Sequence, residues 1–128
     1  MYEPIRTKSV HAVADEPQYP HRTREEELDT QLAGHLSALL AVTDELGLEP
    51  AAEAIAAQIS RLRGAPPARH AGLSGADPAD LHRRALALAG RALVVAASRA
   101  DTAVAILSAE RMDAHTAALK DQYLVGAP

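Results

Sequence analysis

Apolar residues recur every three or four positions through most of the chain, which is the period of an amphipathic helix. The clearest row begins after residue 23 and continues for about three heptads, with one histidine among its apolar members. The row consists of Leu28, Leu32, His35, Leu39, Val42 and Leu46. It predicts a first helix over about residues 24–46.

Residues with strong positional preferences mark the ends of the first two helices. Thr23 followed by Glu26 has the spacing of a capping box, and Gly47 is typical of the residue just after a helix. Pro50 suits the first turn of a new helix. The pattern behind it predicts a second helix over about residues 50–63.

A third helical pattern starts at Pro78 and continues to about residue 124. Its phase changes near Ser98, which has Asp101 three positions later, so we expect two helices over about 78–98 and 101–124. One long bent helix is the alternative, and it would favour an intertwined dimer. The expected buried row after the break consists of Ala105, Ala109, Met112, Thr116, Leu119 and Tyr123.

These elements predict an all-α four-helix bundle in a single domain over residues 23–126. Residues 1–22 contain three prolines and no sustained period, so we expect an irregular N-terminal arm. Residues 64–77 are rich in glycine and proline and form an internal linker. The length of this linker would let the third helix dock in many positions.

Composition agrees with a helical protein and removes several kinds of site. Of 128 residues, 29 are alanine and only three are aromatic, all tyrosines, which disfavours a sheet. The absence of cysteine excludes disulfides, a thiol nucleophile and thiolate metal sites. The sequence shows no apolar leader and no uninterrupted apolar span, so we expect a cytoplasmic protein without a membrane segment.

Charge is divided unevenly along the chain. Residues 15–53 carry ten acids and two arginines, whereas residues 54–100 carry seven arginines and two aspartates. The two segments could lie side by side and neutralise each other, or the arginines could form an exposed surface for an anionic partner. The residues expected in that surface are Arg83, Arg84 and Arg91. Nucleic acid is a disfavoured partner, because the chain is acidic overall and has few aromatic residues to stack on bases.

The third predicted helix is apolar nearly all round between residues 85 and 97, as is typical of a central or interfacial helix. This pattern predicts a homodimer, with a further protein partner as a second option. The expected interface consists of Leu86, Gly90, Leu93, Ala97, Val104 and Leu107. Gly34 and Gly90 lie inside helices, where glycine is unfavourable, so we expect helices to cross closely there.

Histidines are the first candidates for a ligand site. His35, His82 and His115 are predicted on three different helices, where they could line a site for a small ligand or a metal. The chain contains neither a His-x₃-His nor a Glu-x-x-His pair, which excludes the di-iron pattern of four-helix bundles. No metal or other cofactor is predicted.

The hypothesis of an enzymatic function is based on two short patterns in the last helix. Glu110 and Asp113 resemble the acidic pairs with which all-α nucleotide pyrophosphatases bind Mg²⁺, but the other acidic cluster lies some eighty residues earlier. Arg111 and His115 resemble the Arg–His pair of some helical ribonucleases at a shorter spacing. No catalytic residue is therefore assigned, and the leading hypothesis is a non-catalytic helical interaction or structural module.

Overall fold

The computed structural model describes residues 23–72 and 75–126, with side chains up to residue 122, and this part of the chain is all-helical. Helix α1 spans Arg24–Glu45, α2 spans Glu49–Arg63, α3 spans Pro78–Arg99 and α4 spans Thr102–Gly126. The predicted all-α class and the four helices are confirmed, and the break between α3 and α4 excludes the single long helix. The predicted arm over residues 1–22 lies outside the described residues.

The helix ends follow the predicted local chemistry with one exception. The capping box of α1 is complete, because the Glu26 amide donates to Thr23 Oγ1 at 3.0 Å and the Thr23 amide donates to Glu26 Oε1 at 2.9 Å. Ser98 does not cap α4, since its hydroxyl donates to the Val94 carbonyl within α3. Asp101 caps α4 instead, because its side chain accepts a hydrogen bond from the Val104 amide at 3.2 Å.

Helix α3 is the central packing element of the bundle. It packs against α1 on one side and α4 on the other, while α2 lies on α1 and meets α4 along a short stretch. One continuous core joins leucines of α1 to isoleucines of α2 and to a row of alanines on α3. The fully buried members of the α3 row are Ala85, Ala89, Ala92 and Ala96. Alanines at this heptad spacing leave room for the larger side chains of neighbouring helices.

The linker before α3 is held against the turn between α1 and α2. Arg69 makes two hydrogen bonds to the buried carboxylate of Asp44, at 2.7 and 3.0 Å, and the His70 amide donates to the same carboxylate. Arg69 also reaches Glu53 at 3.3 Å. This part of the linker is therefore held against the end of α1 by an ion pair and hydrogen bonds, which its composition did not indicate.

The predicted close crossings at the helical glycines are absent within the single chain. A Cβ on Gly34 would meet nothing within 4 Å, and a Cβ on Gly90 would meet only the Met112 side chain at 3.8 Å. Neither glycine lies against the backbone of another helix. Both positions have space for a methyl group.

We expect Gly34→Ala to stabilise the protein by up to about 1 kcal/mol, because alanine has the higher helix propensity and the new methyl meets no neighbour. Urea denaturation at 25 °C measures the change in the free energy of unfolding. A loss of stability would show that the open space beside Gly34 is filled in solution.

Candidate functional site

A polar cluster is buried between α3 and α4. His82, in the second turn of α3, and His115, in α4, face each other with their Nδ1 atoms 2.9 Å apart. Their ring centroids are 5.1 Å apart and the rings are tilted by 52°. His115 has no exposed surface, whereas His82 is half-buried.

Hydrogen-bond donors and acceptors fix the tautomers of this pair. Arg111 Nη2 lies 3.4 Å from His115 Nε2, and a guanidinium can only donate. His115 Nε2 therefore accepts, its Nδ1 carries the hydrogen, and that hydrogen is donated to Nδ1 of His82. The assignment follows from the network of partners. In this assignment Arg111 donates a hydrogen bond to His115, and His115 donates a hydrogen bond to His82.

Burial and positive charge keep both imidazoles neutral at pH 7. Burial, with smaller contributions from the Arg111 charge and from His82, lowers the pKa of His115 to about 4. Burial and the same guanidinium also lower the pKa of His82. Burial lowers the pKa of Arg111 as well, although the neighbouring Glu110 acts in the opposite direction. Arg111 is therefore the charged member of the cluster.

Two polar side-chain atoms in this cluster have no hydrogen-bond partner among the described residues. They are Ser108 Oγ and Arg111 Nε, both buried. Ser108, Arg111 and His115 follow one another at spacings of three and four residues, so they share one face of α4. A buried donor without a partner costs about 1–3 kcal/mol, so the arrangement is costly for a purely structural contact.

The buried face of α4 differs from the predicted row. Val104, Ser108 and His115 are fully buried, whereas Thr116 of the predicted row is exposed. Ala105 and Met112 of the predicted row do pack against the core, and Tyr123 lies outside the residues whose side chains are described. The prediction missed Ser108 and His115 because it followed apolar residues, and these two buried positions are polar. The spacing of Val104, Ser108, Arg111 and His115 is itself that of a heptad row, and this signal could have identified Ser108.

The third candidate histidine lies elsewhere. His35 is half-buried on α1 and lines a shallow groove of about 440 Å³ whose other walls come from α3. The α3 residues in this groove are Ala87, Gly90, Arg91, Val94 and Val95. The structure thus brings His82 and His115 together without His35. The described residues contain no group of three histidine, aspartate or glutamate side chains placed to hold a metal ion.

The predicted arginine surface is only partly free. Arg83 pairs with Asp80 at 2.8 Å, whereas Arg84 and Arg91 are exposed and form no ion pair with the described residues. Other arginines of the basic segment do neutralise the acidic one: Arg69 contacts Asp44, and Arg99 contacts Asp29 at 2.9 Å. Neutralising ion pairs and exposed arginines therefore both occur in the described residues, and a partner for the exposed ones remains a prediction.

The predicted interface row divides between α3 and α4. Leu86 and Leu93 are half-buried on α3, Gly90 lines the groove and Ala97 is exposed. On α4, Leu107 packs against the core, and Val104 is fully buried within the single chain. Val104 therefore has no surface to offer a second copy. The surface available on α3 includes Val94, which is 65% exposed and was absent from the predicted row.

The candidate magnesium ligands are exposed. Glu110 and Asp113 both lie on α4 and have no third acidic or histidine ligand close to them among the described residues.

Within the part of the chain that the structure describes, no helix is long and apolar enough to cross a membrane. Comparison of the chain with models of protein families, with curated proteins and with solved structures finds no match.

Proposed function

We propose that the chain is a non-catalytic interaction module that pairs with a second copy through the outward surface of α3, here called the α3 face. The α3 face consists of Ala87, Gly90, Val94 and Ala97. The observation that carries the proposal is the exposure of Val94, 65%, beside an apolar groove on the central helix. A cytoplasmic location, expected from the sequence, belongs to the same proposal.

The side chains of the α3 face favour another helix as the occupant. Its positions follow at spacings of three, four and three residues, so they form a continuous stripe along α3. The stripe contains one glycine, two alanines and one valine, which allow a second backbone to approach closely. A standard stable interface buries about 800 Å² on each partner, so neighbouring residues of α1 and α4 would contribute area as well.

Unpaired charges on α3 and α4 have opposite signs, which supports a second copy as the partner. Arg84 and Arg91 on α3 and Glu110 and Asp113 on α4 are all exposed and form no ion pair with the described residues. A second copy carries the same two sets, so arginines of one copy can face acids of the other. Such charges set partner choice and register more than affinity.

We expect Val94→Glu to convert the dimer to a monomer at micromolar concentration, because the change places a carboxylate at the centre of an apolar contact. Sedimentation velocity and native mass spectrometry measure the subunit count. Val94 is mostly exposed in the single chain, so the free energy of unfolding of the monomer should change by less than about 0.5 kcal/mol.

Ala54→Glu is the matched control, since Ala54 is also an exposed apolar residue but lies on α2, which does not contact α3 and carries none of the proposed interface residues. This variant should remain dimeric. A monomeric wild-type protein at micromolar concentration would contradict the proposed pairing. Equal dissociation of both variants would place the interface away from the α3 face.

A further inference from the structure

We propose that Ser108, Arg111, His115 and His82 form a binding site for a small oxyanion of the phosphate type, here called the oxyanion site. The proposal concerns the contact between α3 and α4 and does not depend on the pairing of two copies. It is carried by the donors that the cluster leaves without partners and by the charge that it leaves without compensation.

The first argument is the number of unused donors. Arg111 Nε and Ser108 Oγ are buried and have no partner, and both lie on the face of α4 that also presents His115. A tetrahedral oxyanion has several acceptor oxygens, so it could accept from the guanidinium and the hydroxyl together. Ser108 Oγ and Arg111 Nε do not hydrogen-bond each other, so both remain available to the oxygens of such a ligand.

The second argument is charge. Four other arginines, Arg61, Arg69, Arg83 and Arg99, each contact a carboxylate within 4 Å. Arg111 is more enclosed than the exposed members of that group, yet among the described residues its guanidinium contacts an imidazole nitrogen, at 3.4 Å, and no carboxylate. A half-buried cation without a carboxylate is costly unless an anion approaches it. An external anion would supply the missing charge.

The chemistry of the cluster favours an anion over a metal ion. The two imidazoles point their Nδ1 atoms at each other, and Nε2 of His115 faces the guanidinium. A divalent cation at His115 would therefore sit against a fixed positive charge. The described residues also provide no third ligand of the histidine or carboxylate type.

The histidines make anion binding depend on protons. Without an anion, the guanidinium and burial oppose protonation of His115 and His82. A bound phosphate would offset the guanidinium charge and favour the protonated imidazole, so binding should take up protons. Affinity should therefore be higher at pH 6 than at pH 8. His82 is half-buried and provides the side from which the site meets solvent.

The test is a titration of the full chain with sodium phosphate, with sodium chloride at matched ionic strength as the reference. Isothermal titration calorimetry at pH 6.5 should show saturable phosphate binding. Proton uptake is measured with sodium sulfate in two buffers of different ionisation enthalpy, because phosphate itself exchanges protons near this pH and sulfate does not. Arg111→Gln should weaken this binding at least tenfold. Arg91→Gln, which removes an exposed arginine from another part of the surface, should leave the affinity within twofold.

Nuclear magnetic resonance on the wild-type protein tests the same proposal without the variant, in case Arg111→Gln fails to fold. In the wild-type protein, phosphate should shift the imidazole signals of His115 and His82 and leave those of His35 unchanged. Failure of these signals to move would overturn the proposal. So would equal binding by both arginine variants, or stabilisation by Zn²⁺ in place of phosphate.

Discussion

Acidification from pH 7 to pH 4 is expected to destabilise the bundle by about 3 kcal/mol through His115 alone. The folded protein holds the pKa of this histidine at about 4, while an unfolded histidine titrates near 6.5. Each unit of difference corresponds to 1.36 kcal/mol. The effect is large because His115 is fully buried beside a guanidinium, so its protonated form is tolerated much better in the unfolded chain.

The direction follows from proton linkage. Between the two pKa values, the unfolded state binds more protons than the folded state, so stability rises with pH. The contribution of His115 is fully present above about pH 6.5, falls as pH decreases through this window and is absent below about pH 4. The lowered pKa of His82 adds a loss of the same sign. The experiment uses low-phosphate buffers, because a bound oxyanion would oppose this loss.

Urea denaturation at pH values from 4 to 8 measures the profile. His115→Leu should flatten it between pH 4 and 6.5, because the variant lacks the buried imidazole. His35→Leu is the control, since it removes an imidazole from a different groove, and the wild-type profile should persist. An unchanged slope in His115→Leu would show that the buried histidine is not the group that binds the proton.

Helix positions were predictable because local chemistry determines them. The capping box at Thr23, the proline at the start of α3 and the left-handed conformation of Gly64 all act within a few residues of chain. These signals depend on neighbours in sequence and need no knowledge of tertiary packing. The break between α3 and α4 was also visible as a change of phase, although Asp101 caps α4 in place of Ser98.

The contents of the α3–α4 contact were harder to predict. A hydrophobic pattern assigns polar residues to the surface, so Ser108 and His115 were not expected in the buried row of α4. Their neighbour Arg111 was visible only as a residue four positions before a histidine. The pairing of His82 with His115 depends on how two helices align, and sequence spacing does not specify that alignment. For Gly90 the sequence predicted a close helix contact, whereas within the single chain a Cβ at this position would meet only the Met112 side chain.

The linker shows a further limit of local patterns. Its glycines and prolines correctly indicated a segment between helices, but Arg69 was one of several arginines in a basic segment. Only the fold shows that this arginine meets Asp44, whose side chain is 4% exposed. The attachment of the linker to α1 therefore includes a long-range ion pair that no local pattern shows.

Arg69→Ala is expected to destabilise the protein clearly more than Arg83→Ala does. The change leaves the Asp44 carboxylate with the His70 amide as its remaining hydrogen-bond donor among the described residues, and a buried charge that loses its partner is destabilising. The loss is moderated because Arg69 is 32% exposed, so its removal lets water reach the carboxylate. Urea denaturation at pH 7 measures the free energy of unfolding.

Arg83→Ala provides the matched control. Arg83 also pairs with an aspartate, at 2.8 Å, but both side chains of that pair are mostly exposed. The loss of unfolding free energy in Arg83→Ala should therefore stay below about 0.5 kcal/mol.

Arg69 lowers the pKa of Asp44 through their hydrogen bonds. The stability that this pair contributes is therefore present above the ordinary aspartate value of 3.8 and is lost as pH falls below it. The difference between wild type and Arg69→Ala should therefore shrink in that acidic range, below the window in which His115 titrates. Equal effects of the two arginine variants at pH 7 would mean that the Asp44–Arg69 contact does not hold the linker in solution.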